Sequence, residues 1–157
     1  MKRQIGWFAL AFVFLTLVLA PIPSASAQSV DRIEKISSSG FNQTVSALET
    51  AIKKRGMMIV ATLDHQNMLR MVGGNIKGSK SLEFGKPDMM KSILPENPQV
   101  GLEMPLRIYV YERGDGKVAV SYYKPSAAFA SYGKDPLKMA GQMMDGMLAE
   151  IVGDVAK

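Results

Sequence analysis

The sequence contains no cysteine and a single histidine, His65. The absence of cysteine excludes disulfide bonds, thiolate metal sites, a cysteine nucleophile and a lipid-bearing N-terminal cysteine. One imidazole cannot build a histidine pair for acid–base catalysis or a histidine metal cluster within one chain. The Gly-x-Ser-x-Gly nucleophile motif, the phosphate-binding loop and the dinucleotide-binding fingerprint are also missing from the sequence. We therefore expect a protein that is not an enzyme and that carries no cofactor.

The composition is that of one ordinary globular domain: 157 residues, of which 47% are hydrophobic and 21% are charged. The formal net charge is +5, but the basic residues form no stripe interleaved with aromatics. The only basic cluster, Lys53-Lys54-Arg55, precedes Gly56, where positive side chains complement the carbonyl end of a helix. We therefore expect no nucleic-acid partner.

The N-terminus has the three parts of a secretory signal peptide. Lys2 and Arg3 precede an apolar run over residues 5–20, and two prolines and the small residues Ala25-Ser26-Ala27 follow it. This pattern predicts a signal peptide over residues 1–27, cleavage at about Ala27, and export of a single domain over residues 28–157 to the periplasm or the medium. The alternative is an uncleaved anchor helix, which would be the only membrane contact of the protein.

Hydrophobic periodicity predicts an α+β domain with a mainly antiparallel sheet backed by helices. A helix is expected over residues 42–55 with Asn42 as N-cap, followed by a strand over residues 57–63 that is buried on both faces. Asp135, as N-cap, and Pro136 begin a long C-terminal helix that extends to about residue 155. Met139 and Met143 lie outside the apolar face of that helix and are expected to be exposed.

The clearest strand signal is a hairpin, because residues 106–112 and 117–123 both alternate strictly between apolar and polar positions. Residues that are paired across two strands lie on the same face of the sheet. The apolar residues of both runs have even numbers, so even-numbered residues must pair with each other. This pairing is possible only when the loop contains an odd number of residues. The sequence thus predicts a three- or five-residue loop with Gly114 or Gly116 in a left-handed or bulge position, and not a two-residue turn.

The second face of this hairpin is rich in tyrosine. Arg107, Tyr109 and Tyr111 are expected opposite Ala119, Ser121 and Tyr123. Because tyrosine and arginine are enriched at interfaces, this face is a candidate ligand groove or subunit interface. The alternative is a sheet face that is wetted at its tyrosine hydroxyls or covered by a second layer.

Several segments, in this order, resemble the family called domain of unknown function 302 (DUF302). They are Leu63-Asp64-His65, Phe84-Gly85-Lys86-Pro87, Gly101-Leu102-Glu103-Met104-Pro105-Leu106-Arg107, Asp115-Gly116-Lys117-Val118, Ser121-Tyr122 and Pro125. The resemblance covers about residues 40–130. It implies a compact domain of the TATA-box-binding-protein-like type that tends to form homodimers, and it implies no reaction. It also marks Asp64 and His65, which share a motif, as candidates for ligand contact.

Methionine suggests an alternative function. His65, Met68 and Met71 lie near one another in sequence, and imidazole and thioether groups together can hold Cu(I). Met139 and Met143 are a second candidate set, although contact with a partner or a second copy is the first interpretation there. The competing explanation is that Asp64 caps a helical turn, His65 orients it by hydrogen bonding, and the methionines fill the core.

Two hypotheses follow. The first is an exported binding or interaction module, homodimeric, that contacts a small ligand or a protein partner through Arg107, Tyr109, Tyr111 and Tyr123 or near His65. The second is a periplasmic Cu(I)-handling protein.

Overall fold

A computed structural model of the chain describes residues 31–157. The signal peptide expected at residues 1–27 lies outside the described residues. In the part of the chain that is described, no helix is both long and apolar enough to cross a membrane.

The described chain forms one antiparallel sheet of five strands with the order β1-β5-β4-β3-β2. The strands are β1 (Arg32–Ser37), β2 (Met58–Asp64), β3 (Ser79–Gly85), β4 (Leu106–Glu112) and β5 (Val118–Tyr123). The helices are α1 (Phe41–Lys54), α2 (His65–Met71), α3 (Pro87–Ile93), α4 (Pro125–Ala130) and α5 (Asp135–Gly153), and a 3₁₀ helix covers Pro98–Glu103. This is the α+β arrangement that the sequence predicts.

The main core lies between one face of the sheet and the helices α1 and α5. Leu48 and Ile52 of α1 and Leu148 and Ile151 of α5 are fully buried against strand residues such as Ile108. A second, smaller core joins α4, α5 and the 3₁₀ helix; it contains Val100, Phe129, Leu137, Ala140 and Met144. Both helices therefore protect the same face of the sheet, and the opposite face is left for other contacts.

The hairpin prediction is confirmed. Tyr109 pairs with Ser121 and Glu112 with Val118, so opposed residue numbers have an even sum. The amide of Arg113 donates to the carbonyl of Lys117 at 2.8 Å, which leaves the three residues 114–116 as the loop. Gly116 has a φ of +80°, a left-handed conformation that favours glycine.

The prediction that the second strand is buried on both faces is wrong. β2 lies at the edge of the sheet, and Met58 and Val60 are exposed. The register shifts between Ile59 and Ala61, so Val60 occupies a bulge. A continuous apolar run fits a buried strand and a bulged edge strand equally well, because periodicity does not report the neighbours of a strand.

Two helix starts also differ from the sequence prediction. Gly40, not Asn42, precedes the first residue of α1, and Lys134, not Asp135, precedes α5. Neither residue makes a side-chain capping hydrogen bond. The predicted exposure of Met139 and Met143 is confirmed, since they are 64% and 56% exposed.

Candidate functional site: the open face and a groove through the sheet

The sheet face opposite α1 and α5, here called the open face, has a polar centre. It presents serines from β3 and β5 and tyrosines from β4. These residues have odd numbers, whereas the core residues of the same strands have even numbers and point to the opposite face. Ser79, Ser81 and Ser121 are buried although they are on this face. Every buried side-chain nitrogen or oxygen among the described residues has a hydrogen-bond partner. The open face is therefore an ordered polar network.

Glu34 of β1 organises one half of this network. The Tyr111 hydroxyl and the Ser121 hydroxyl each donate to Glu34 Oε2 at 3.0 Å. Arg32 and Arg113 lie 3.5 and 3.7 Å from its carboxylate oxygens. Burial acts to raise the pKa of Glu34, but the two hydrogen bonds and the two arginine charges together hold this pKa below its ordinary value. Burial, followed by the adjacent Glu34 carboxylate, raises the pKa of Tyr111.

His65 and Tyr109 form the other half. The Nε2 atom of His65 is 2.9 Å from Ser81 Oγ, and the Tyr109 hydroxyl is 2.8 Å from Ser79 Oγ. The His65 and Tyr109 rings meet edge to face with centroids 5.8 Å apart. Tyr109 also stacks on Tyr111 at 5.2 Å, so the aromatic rings join the two halves. The structure thus brings together His65, Tyr109 and Tyr111, three of the residues selected from the sequence.

Asp64 has the capping role considered from the sequence. Its Oδ1 accepts from the amide of Asn67 at 2.8 Å, at the start of α2, and Lys80 lies 3.3 Å from its Oδ2. The Asn67 amide, with help from Lys80 and Arg70 and against the effect of burial, holds the pKa of Asp64 below its ordinary value. The Asp64 oxygens are thus directed to α2 and Lys80 and not to the His65 ring.

A groove opens through the sheet beside this network. The ladder between β4 and β5 ends at the Tyr109–Ser121 pair, whereas β4 continues to pair with β3 and β5 with β1. Arg107 and Tyr123, expected to be opposite neighbours, are therefore separated by an opening. The groove has a volume of about 400 Å³, within the range of small-molecule sites.

The groove extends from the open face to the helical layer, because the strand residues in its walls come from both faces of the sheet. Arg107, Tyr109 and Tyr123 come from the open face, whereas Tyr122 and Leu106 come from the core side. The helical end is apolar; it is lined by Pro125, Ala128, Phe129 and Leu148. Leu102, which is 86% exposed, lies at the rim.

The charges around the groove are mainly positive. Arg32, Arg107 and Lys124 line it, compared with one carboxylate, Glu103. Glu103 accepts a hydrogen bond of 3.0 Å from the Tyr132 hydroxyl. Each cation is paired with a carboxylate outside the lining: Arg32 with Glu34, Arg107 with Glu83 and Lys124 with Asp31. The cationic side chains are themselves 58%, 63% and 39% exposed, so their remaining N–H donors can bind an anion.

The methionines selected from the sequence are at the surface. Met68 and Met71 are 55% and 77% exposed, and Met139 and Met143 lie on the solvent side of α5. Of His65, Met68 and Met71, the structure records a polar contact for His65, to Ser81. Among the described residues, no group of three or more His, Cys, Asp or Glu side chains could hold a metal ion.

The sequence prediction missed the helical wall of the groove. α4, which supplies Pro125, Ala128 and Phe129, was not predicted as an element. Its residues are small or apolar and carry no chemical signature, and Pro125 at the first helical position was the one available signal. The cationic residues Arg32 and Lys124 were missed as well, because Arg32 begins β1 and Lys124 follows β5, and these strands are far apart in sequence.

Comparison with solved structures shows that another protein has the same fold. An uncharacterized conserved DUF302 protein from Bacillus stearothermophilus superimposes with a TM-score of 0.73 over 79% of this chain and 97% of that chain. The sequence identity is 22%, so this likeness describes the fold alone.

Among curated proteins, the chain is similar to two from Brucella that are called fluoride-specific ion channel FluC 1. The matches to the B. suis and B. abortus proteins are 24% identical over 84 residues, which is 54% of this chain and 33% or 31% of those proteins. The chain thus spans about a third of the length of the curated relatives it matches, and the channel name describes those whole proteins.

The family described as "Domain of unknown function DUF302" matches residues 33–151, which include all five strands almost completely and most of α5. The family resemblance stated from the motifs is therefore confirmed, and the chain belongs to the DUF302 family.

Proposed function

We propose that this protein is a binding module that takes a small organic anion into the groove between β4 and β5. The observation that carries the proposal is the opening itself, a space of about 400 Å³ with an apolar helical end and a cationic open-face end. Such a shape fits a ligand with an apolar body and one anionic group. The apolar body would contact Leu106 and Ala128, which are half-buried, and the anionic group would lie near Arg107.

Arg107 is the principal anion-binding candidate. Its guanidinium is 63% exposed and is held over the open face by Glu83, which accepts from Nε at 3.0 Å. A guanidinium presents several N–H donors in a planar fork, so it can keep one carboxylate partner and bind a second anion. Tyr109 and Tyr123 add aromatic surface on either side of the opening.

The polar network supports binding better than catalysis. The His65–Ser81 hydrogen bond resembles the first half of an activated nucleophile, but Ser81 is buried and the Asp64 carboxylate is directed away from the ring. Tyr109 and Ser79 satisfy each other, as do Tyr111 and Glu34. A network of this kind fixes the wall of a binding site.

Export and self-association complete the proposal. The N-terminal pattern supports export to the periplasm or the medium. A homodimer is supported by α2, a helix of seven residues with none buried in the described chain. Met68 and Met71 share one side of this helix with Val72, the residue that follows it, and all three side chains are exposed. We propose that a second copy of the chain covers this side.

The groove can be tested with 8-anilinonaphthalene-1-sulfonate, whose aromatic body and sulfonate match the two ends. Its fluorescence should report saturable binding to one groove per chain. Arg107→Met should weaken the affinity about tenfold, because a charge-assisted hydrogen bond is lost. Ala128→Leu should weaken it by reducing the volume of the helical end.

The matched control is Arg70→Met, which removes an exposed arginine from α2, outside the groove. Equal affinity for the wild type and Arg107→Met, or an equal loss in Arg70→Met, would contradict the proposal. A second experiment identifies the natural ligand. Native mass spectrometry of the protein from its own cells should show an organic molecule that the wild type retains and Ala128→Leu loses.

A further inference from the structure

Six methionines surround one small cavity on the helical side of the sheet. They come from four parts of the chain: the residue before β2, helix α3, the residue before Pro105 and helix α5. The six are Met57, Met89, Met90, Met104, Met144 and Met147. They are half of the 12 methionines in the sequence, and the cavity has a volume of about 20 Å³. Below, this space is called the methionine cavity.

The size of the methionine cavity matches one small bound species. A volume of 20 Å³ slightly exceeds the roughly 10–15 Å³ that a water molecule needs. A buried water also needs about two to four polar partners. The remaining lining residues are Gly85, Lys86, Pro105 and Leu106, so thioethers dominate the wall. The wall is poorly suited to water and well suited to a species that binds sulfur.

Core filling alone does not explain this convergence. Branched aliphatic residues fill a core with better defined side-chain conformations, and methionine is used where a wall must adapt. The Met90 thioether packs beside the Gly85 backbone, since a Cβ atom at Gly85 would lie 3.6 Å from Met90 Sδ, an ordinary van der Waals distance.

We propose that the methionine cavity binds a single Cu(I) ion. Thioether sulfur is a soft, neutral ligand that prefers soft monovalent cations to Mg²⁺, Ca²⁺ or Mn²⁺. Four of the six sulfur atoms complete the coordination of one Cu(I) ion, and methionine side chains are flexible enough to turn their sulfur inward. Lys86, the one charged residue in the lining, opposes a cation, so the affinity has to come from the thioethers.

The cavity is accessible to an ion. Met57 and Met144 are buried, whereas Met89, Met90, Met104 and Met147 are only half-buried. The half-buried side chains would receive the ion at the surface, and the buried ones would form the inner wall. This proposal does not depend on the groove between β4 and β5, which shares only Pro105 and Leu106 with the cavity.

The test is an anaerobic Cu(I) titration of the full-chain protein against bicinchoninate as a coloured competitor. We expect one Cu(I) per chain, and X-ray absorption should show sulfur neighbours only. The triple variant M90L/M104L/M147L should weaken binding at least tenfold, while Lys86→Gln should strengthen it. Leucine conserves the volume, so circular dichroism should report an unchanged fold. If this variant unfolds, M89L/M90L/M147L, which also leaves three of the six thioethers, takes its place.

The matched control is M139L/M143L, which removes two exposed thioethers from α5 without touching the cavity. It should bind as the wild type does. Binding should also be nearly constant between pH 5.5 and 7.5, because thioethers do not titrate. No Cu(I) binding by the wild type, unchanged binding in M90L/M104L/M147L, or a loss confined to His65→Ala, M68L/M71L or M139L/M143L would overturn the proposal.

Discussion

At the scale of single residues, Glu34 contributes most clearly to the open face. It comes from an outer strand, yet it accepts hydrogen bonds from both β4 and β5, through Tyr111 and Ser121. Its side chain is 24% exposed, so solvent weakens these interactions only in part. Glu34 therefore fixes the position of Tyr111, on which Tyr109 stacks at the wall of the groove.

The lowered pKa of Glu34 predicts how stability depends on pH. A carboxyl group whose pKa is lower in the folded than in the unfolded chain stabilises the fold above its unfolded pKa, here about 4.5. This contribution is lost as the pH falls through the lower, folded-state pKa. Glu34→Gln should therefore reduce the free energy of unfolding by about 1.5–3 kcal/mol at pH 7, the scale of a hydrogen bond to a charged group.

Urea unfolding of wild type and Glu34→Gln at several pH values between 3 and 7 would measure this effect. The difference should shrink as the pH falls below 4.5, because Glu34 of the unfolded chain is protonated first, and should be lost once the pH passes the lower pKa of the folded chain. Glu96→Gln, which changes an exposed glutamate in the loop after α3, is the control and should have little effect. A difference between Glu34→Gln and wild type that stayed constant down to pH 3 would show that the carboxylate charge is not the cause.

At the scale of elements, α4 packs directly against α5 at Gly141. A Cβ atom at Gly141 would lie 2.8 Å from Ser126 Cα and 2.9 Å from Phe129 Cβ. Asp145, one turn further along α5, accepts from the Ser126 amide at 3.0 Å and from its hydroxyl. Gly141 thus lets α4 approach α5, and α4 supplies one wall of the groove.

Gly141→Ala should destabilise the protein by about 1–3 kcal/mol, because backbone atoms of α4 must move to admit the methyl group. Gly146→Ala is a matched change in the same helix, where nothing lies within 4 Å of the added Cβ. It should stabilise the protein by up to about 1 kcal/mol through helix propensity. Thermal unfolding of the two variants therefore should give shifts of opposite sign. A stabilised Gly141→Ala would show that α4 is not held at this distance.

The elements differ in how well the sequence predicts them, for physical reasons. The β4–β5 hairpin was predicted to an odd loop of three or five residues, because alternation and register are both local properties of one chain segment, and the structure has three. The burial of β2 was predicted wrongly, because its position at the sheet edge depends on the order of strands that are distant in sequence. The helix starts at Asn42 and Asp135 were wrong by one or two residues, since capping preferences are weak and neither helix uses a side-chain cap.

The same distinction applies to the candidate site. Arg107, Tyr109 and Tyr123 were selected from alternation alone, and the structure places all three at the groove. The groove itself was not predicted, because it arises where β4 and β5 separate after Tyr109 and Ser121 to follow different neighbours. The methionine cavity was not predicted either, since its six residues come from four separate segments with no common spacing.

At the scale of the whole molecule, the two edges of the sheet are finished differently. The outer edge of β1 is occupied at Ile36, which exchanges two backbone hydrogen bonds of 3.1 Å with Lys157 at the C-terminus. The other edge, β2, is interrupted by its bulge, and α2 follows it with exposed apolar side chains. Bulges discourage edge-to-edge pairing of sheets, so association at this end would use the side chains of α2.

Dimerisation through α2 can be tested by placing two positive charges at the C-terminal end of that helix. Met71 and Val72 are 77% and 79% exposed, so M71K/V72K should leave the monomer fold intact while removing an apolar contact. Light scattering coupled to size-exclusion chromatography should give a dimer mass for the wild type at micromolar concentration and a monomer mass for the variant. M139K/M143K places the same charges on the exposed side of α5 and should remain dimeric. A monomeric wild type would contradict self-association, and a dimer lost only in M139K/M143K would move the interface from α2 to α5.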